Sequence, residues 1–161
     1  MGRLIDLCKR KLGDTVLSAH EQHGDETVVI RKDALLTVLR WLRDDDAMKF
    51  DFMMDLTAVD YLGTRARSER FEVVYHLFSL KNNHRLRVKT LVADDDPVTE
   101  SVVTVWVAAN WFEREVWDMY GIIFKGHPNM KRILLYEEFE GHPLRKDYNI
   151  RKRQPLIGPE N

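Results

Sequence analysis

The feature that most constrains this chain is the run from Phe71 to Leu80, FEVVYHLFSL, which is apolar on both of its alternating sets. Phe71, Val73, Tyr75 and Leu77 would line one side, and Val74, Phe78 and Leu80 the other. A strand apolar on both sides is predicted to be a central strand covered on both faces. Lys81-Asn82-Asn83 reads as the turn that ends it. Arg85 to Val92 follows, with Leu86 and Val88 facing in and Arg85, Arg87 and Lys89 facing out. Upstream, Phe50 to Val59 gives another strand, closed by turn residues around Gly63, and Thr27 to Ile30 a short one. A meander of this kind needs helices on at least one side. The expected fold is therefore α+β: a single two-layer domain, a largely antiparallel or mixed sheet packed with helices, and an extended C-terminal tail.

Helical spacing supplies the second layer. Leu4, Ile5, Cys8 and Leu12 recur along residues 3–12, and Gly13 is a stop signal. Leu35, Leu36, Leu39 and Leu42 form the apolar side of an amphipathic helix over 33–43, ended by Asp44–Asp46. Asp96 as N-cap and Pro97 at the first helical position predict another helix, buried along the apolar stretch Val102 to Ala109. Asn110 would cap a further helix, with Glu113 closing a capping box and Gly121 ending it. Ile133 to Tyr136 is expected as a short strand. Met53, Met54, Trp41, Phe50 and Phe52 are assigned to the core, and His76 is read as a satisfied core histidine. The domain is expected over 1–147, leaving 148–161 as a short basic tail. The surrounding run RKDYNIRKR, Arg145 to Arg153, reads as a mobile end or as a segment that orders on an acidic partner.

Several chemistries are excluded at this level. The 161 residues argue for one domain with a self-sufficient core. Lys+Arg and Asp+Glu nearly balance at 25 and 26, so no basic nucleic-acid binder of the usual kind is expected. Cys8 is the only cysteine, so this chain alone holds no disulfide, iron–sulfur cluster or all-cysteine zinc site. No apolar run reaches the roughly eighteen residues of a membrane span. The N-terminus lacks the apolar core of a signal peptide, which points to a cytoplasmic protein at most peripheral to a membrane. Neither a G-x-G-x-x-G cradle nor a P-loop appears among the eight glycines. His127 and His142 each sit in a Gly-His-Pro triplet and read as loop histidines bonded to backbone carbonyls rather than as metal ligands.

The densest segment is NWFEREVWDMYGIIFKG, Asn110 to Gly126. Two of its carboxylates, Glu113 and Asp118, near buried aromatics, are a candidate general acid/base pair. The simpler reading is structural: Glu113 caps the helix and Arg114 pairs with Asp118 at i,i+4. No nucleophile or oxyanion device accompanies them, which favours structure.

Glu113-Arg114-Glu115-Val116-Trp117-Asp118-Met119-Tyr120, with His127, Lys131 and Ile133-Leu134 at fixed distances beyond it, resembles the signature of the 30-kDa subunit family of respiratory NADH:quinone oxidoreductase (complex I). Asp55 to Tyr61, Phe71 to Leu77, Ala108 to Trp111 and Gly141-His142-Pro143-Leu144-Arg145-Lys146-Asp147 are similar to that family in the same order, over about residues 50–147. The resemblance implies a subunit without a redox centre in the peripheral arm of a proton-translocating enzyme. FMN and iron–sulfur clusters would sit on other subunits, and quinone would be met only through the complex. The implied partners are the 49-kDa-type subunit and neighbouring cluster-bearing subunits, on the cytoplasmic side of the inner membrane and with no span of its own. Glu113, Arg114, Glu115, Asp118, His127, Lys131, His142, Arg145, Lys146 and Asp147 are then signature residues for fold support or docking, within an interface candidate over 108–147. Two alternatives are the equivalent subunit of a membrane-bound hydrogenase or other-donor complex, and a small acid/base enzyme using Glu113 and Asp118.

Overall fold

The computed structural model describes residues 2–64 and 68–155. Their elements are α1 (Arg3–Leu12), β1 (Val16–Gln22), β2 (Asp25–Ile30), α2 (Leu35–Asp44), β3 (Phe52–Asp60), β4 (Phe71–Ser79), β5 (His84–Val92), β6 (Val98–Glu100), α3 (Ala109–Tyr120) and β7 (Ile123–Lys125). Five strands form one sheet in the order β1-β2-β5-β4-β3. β3, β4 and β5 are an antiparallel meander, and β1 pairs antiparallel with β2. β2 runs parallel to β5, which makes the sheet mixed. Parallel neighbours need a long return, and here it runs through α2, β3 and β4. β6 and β7 form a separate parallel pair.

Register explains the layers. Val28 and Ile30, Leu86 and Val88, Phe71, Val73, Tyr75 and Leu77, and Leu56 and Ala58 all point to one side of the sheet and belong to one buried cluster. Leu4, Ile5 and Cys8 of α1 and Leu35, Val38, Leu39 and Leu42 of α2 complete that cluster, so the α+β two-layer architecture holds. The N-terminus of α1 has no cap from its own chain end. Glu26 on β2 accepts the Ile5 N–H at 2.7 Å instead, and a Cβ on Gly2 would collide with that side chain. A larger residue at position 2 would displace the cap.

The other side of the sheet differs from expectation. β4 is an inner strand, but among the described residues no helix packs on its second face. Glu72 and Val74 are buried there, Glu72 by bonds to Lys89 Nζ at 2.8 Å and the Tyr61 hydroxyl at 3.0 Å, whereas Phe78 is half-buried and Leu80 exposed. His76 shares this open face, half-buried, so it is not a core histidine. Phe52 and Met54 are exposed and Trp41 half-buried; only Met53 and Phe50 of the assigned set are core. The register shift between Met53 and Asp55 turns Met54 outward, which alternation alone does not foresee.

The helix expected from Asp96 does not form. Val98–Glu100 pairs with Ile123–Lys125, and these two short strands, like β1, are absent from the expected elements. A turn beginning at Val102 follows, with Val105 and Trp106 N–H groups bonded to the Val102 carbonyl. Val98, Thr99, Val102, Val103 and Thr104 are β-branched, and their stiffness outweighs the Asp-Pro start signal. The burial expectation survives in part: Val102, Val105 and Trp106 are core, and Trp106 Nε1 donates to the Phe50 carbonyl at 3.0 Å, whereas Val107 faces solvent. Ile133 to Tyr136 is irregular rather than a strand. Residues 126–155 form a strap without helix or strand, laid over α3 and the end of the sheet, and 156–161 of the expected tail lie outside the described residues.

Candidate docking surface on the third helix

α3 packs its length against β3 and ends at Gly121, whose φ of 77° is the left-handed stop that glycine favours. Its start differs from the capping box expected: Asn110 is already helical and no side chain caps the end. Glu113 is fully buried and caps something else. Its Oε1 accepts the Val102 N–H and its Oε2 the Ser101 hydroxyl, both at 2.6 Å, so it closes the turn that precedes the helix. Burial pushes its carboxyl up to about 7, against the opposing pull of these two bonds.

Asp118, also fully buried, accepts three consecutive backbone N–H groups, Ile133, Leu134 and Leu135, at 2.9–3.1 Å, and Arg132 Nη1 at 2.5 Å. Burial opposes its charge, but these donors more than compensate and hold the carboxyl below the usual range. The Arg114–Asp118 pair expected from i,i+4 spacing is therefore absent. Arg114 donates instead to the Lys131 and Arg132 carbonyls, at 3.0 and 2.9 Å, and its guanidinium lies 5.2 Å over the Trp111 ring. Lys131 contributes backbone to that contact, and its side chain and Glu115 are exposed.

Both Gly-His-Pro histidines bond backbone carbonyls. His127 Nε2 meets the Asn110 carbonyl at 3.1 Å, and His142 Nδ1 the Asp118 carbonyl at 2.9 Å. His142 also lies so close to Gly121 that a Cβ there would be 2.7 Å from the ring. Among the described residues no group of three His, Cys, Asp or Glu side chains is gathered to hold a metal ion.

The last signature residues converge on an arginine that the sequence pattern does not single out. Arg70, just before β4, donates to Asp60, Asp94 and Asp147, at 2.7–3.1 Å. Arg145 bonds Asp94 at 2.6 Å, and Asp60 also accepts the Lys146 N–H at 2.8 Å. The two arginines stack over Phe71 at 4.9 and 5.0 Å. Burial acts against the Asp60 charge, but Arg70 and the backbone N–H groups of Lys146 and Leu62 outweigh it and hold its carboxyl at about 2. Arg70, Asp60, Asp94, Arg132 and Ser101 have no local signature, because their partners are distant in sequence; only Asp60 falls in a stretch that the family resemblance marks.

With these groups buried in the chain's own bonds, the outward side of α3 and its flanks remain. Val107 is 81% exposed, Trp111 63% and Leu134 61%, on the turn that Glu113 ties to the helix, on the helix itself, and on the strap that Arg114 and Asp118 tie to it. An exposed Trp braced by an Arg, with an uncovered Val on the preceding turn and an uncovered Leu on the strap, has the composition of an interface centre rather than of a catalytic cleft. On this helix Trp111 is exposed and Arg114 half-buried beside it, whereas Glu113 and Asp118 are fully buried.

The family of the respiratory-chain NADH dehydrogenase 30 Kd subunit matches residues 28–154. One of the NADH-quinone oxidoreductase subunits of Citrifermentans bemidjiense is 44% identical over 158 residues, 98% of this chain and 91% of that protein. Its counterpart in Acidithiobacillus ferrooxidans is 46% identical over 151 residues, 92% of this chain and 72% of that protein. Among solved structures, a trypsin-resistant fragment (1-134) of Nqo5 superposes with a TM-score of 0.69 and 32% identity, over 80% of this chain and 99% of that one. A chain of a membrane-bound sulfane sulfur reductase, an archaeal respiratory membrane complex, shares the fold with a TM-score of 0.75 and 24% identity, over 91% of this chain and 84% of that one.

Proposed function

Because the chain belongs to the respiratory-chain NADH dehydrogenase 30 Kd subunit family, we propose that it serves as a non-catalytic, structural subunit in the peripheral arm of a proton-translocating NADH:quinone oxidoreductase. The observation that carries this reading is the division of labour on α3. Its two buried carboxylates bind only the chain's own donors, while Trp111, with Arg114 over it, faces outward beside Val107. An acid/base site needs carboxylates that a substrate can reach, and Glu113 and Asp118 are sealed. In this reading Trp111, Arg114, Glu115 and Lys131 dock, Glu113, Asp118, His127 and His142 shape the surface, and Arg145, Lys146 and Asp147 anchor the strap. In this reading 1–147 serve as the domain and 148–161 as a basic tail, whose described part, 148–155, ends the strap.

The partners in this reading are the 49-kDa-type subunit and the neighbouring cluster-bearing subunits; FMN and the iron–sulfur clusters are carried by other subunits of the complex, and quinone is met only through it. The subunit lies on the cytoplasmic side of the inner membrane. No helix among the described residues is long and apolar enough to cross a membrane, consistent with a peripheral position. The test is native electrophoresis of gently solubilised membranes, detecting this chain and staining the same lane for NADH dehydrogenase activity. Comigration in one large band is expected. A large band without NADH activity would move the chain to a related complex fed by another donor, and recovery as a small free protein would sink the subunit reading.

A further inference from the structure

The open face of the sheet carries more than exposed apolar groups. Register sets three rows across β3, β4 and β5: Phe52 beside Phe78 beside Arg85, Asp55 beside His76 beside Arg87, and Thr57 beside Val74 beside Lys89. β5 thus lays three cations in a line, next to an apolar end made by Phe52, 49% exposed, Met54, 41% exposed, and half-buried Phe78. Two of the cations are already engaged. Lys89 holds Glu72, and Arg87 donates to Asp25 and to the Thr27 hydroxyl, each at 3.2 Å. Arg85 is exposed, and among the described residues no carboxylate pairs with it; its guanidinium lies 5.7 Å over the Phe78 ring. A guanidinium stacked on a ring keeps its in-plane N–H groups, the geometry that grips a carboxylate through paired bonds.

Met54, His76, Asp25, Arg85 and Arg87 line a pocket of about 130 Å³ on this face. Sites for whole small molecules run from roughly 300 Å³, so this one fits a single side chain. Burial, with Arg87 beside it, lowers the His76 imidazole, which lines the pocket as an uncharged ring and leaves the positive charge to the arginines. A nucleic-acid backbone needs a run of cations, and Asp25, Asp55 and Glu72 interrupt this one. We propose that the open face is a second docking surface: an Asp or Glu of another subunit enters the pocket and bonds Arg85, and its apolar neighbours in that segment lie on Phe52, Met54 and Phe78. This inference rests on the reading of the chain as a subunit and adds a partner segment on the sheet face opposite α1 and α2.

The test uses the assembled complex from cells in which Arg85→Lys replaces the natural chain. The substitution keeps the charge and supplies an amine that a carbodiimide joins directly to a carboxylate in contact with it. After carbodiimide treatment of the complex, peptide mass analysis should find position 85 joined to an Asp or Glu of another subunit. Arg85→Glu, a change at an exposed side chain, should lower the fraction of the chain retained in the large band about tenfold, because it sets like charges against each other. If the introduced amine forms no bond to another subunit's carboxylate, or Arg85→Glu is retained like the natural chain, the second surface is wrong while the docking reading of α3 stands. If the natural chain is absent from the large band, both fall together.

Discussion

Asp118 and Glu113 are both fully buried carboxylates on one helix, and their surroundings send them in opposite directions. Asp118 collects three backbone donors and an arginine, so its charge is favoured in the folded state. Its contribution is present above the ordinary carboxyl range and is lost as pH falls through its lowered value. Asp118→Ala should cost about 3–5 kcal/mol in urea denaturation, because it leaves Arg132 and three backbone N–H groups without an acceptor. Glu113 has the reverse sign. Between its ordinary value of 4.5 and about 7 the folded chain keeps a proton that the unfolded chain releases, so stability falls as pH rises across that window and is level above it. Glu113→Gln should abolish this decline, worth on the order of 2–3 kcal/mol, in melts compared at pH 5 and pH 8. Gly121 offers a comparison of two backbone sites. Gly121→Ala meets both a φ of 77° and the His142 ring at 2.7 Å, whereas Gly126→Ala meets a φ of 84° and open space. Both should destabilise, the first by roughly 1–2 kcal/mol more than the second.

At the scale of elements, the strap shows how thirty residues without helix or strand can be held in place. Its attachments are polar: Asp118 to Ile133, Leu134 and Leu135, Arg114 to the carbonyls before them, Leu144 N–H to the Met119 carbonyl, and Asp147 to Arg70. Phe139 meets Tyr136 edge-on at 5.6 Å and stacks on Tyr148 at 6.1 Å, which folds the end of the strap back on itself. By sequence the basic run is either a mobile end or a segment awaiting an acidic surface; residues at both its ends instead find acidic partners within the chain, Asp94 for Arg145 and Glu140 for Lys152. The Arg70 cluster is the far anchor. Arg70→Ala strands Asp60, 4% exposed, without its guanidinium and leaves Asp147 only its 3.5 Å contact with Arg145. Limited trypsin digestion should then cut within 131–153 about tenfold faster or more while the sheet persists, the rate ratio expected if the strap opens about 1.4 kcal/mol more readily. If the cleavage pattern and rate are unchanged, the strap is held by α3 alone.

For the molecule as a whole, the sheet has one covered face and one open one, and α3 with its flanks leaves a second uncovered apolar surface. The docking reading predicts that Trp111→Ala shifts the melting temperature of the free chain by less than about 2 °C, since the side chain is 63% exposed, yet markedly lowers recovery in the assembled complex. Equal loss in both measurements would make Trp111 part of the fold instead. What the sequence by itself determined was set by short-range periodicity. The inner strand from Phe71, the turn at Lys81-Asn82-Asn83, the amphipathic faces of α1 and α2 and the glycine stop at Gly121 each depend on neighbours within a turn or a pleat, and so does the family signature on α3. What only the tertiary structure decided were pairings between distant residues. Val98–Glu100 becomes a strand because Ile123–Lys125 lies beside it, and Arg70 becomes a hub because Asp94 and Asp147 are brought to it. The same limit turned Glu113 from a cap of its own helix into the anchor of the turn before it. A carboxylate bonds whichever donor folding places within reach, and periodicity carries no record of contacts across such separations.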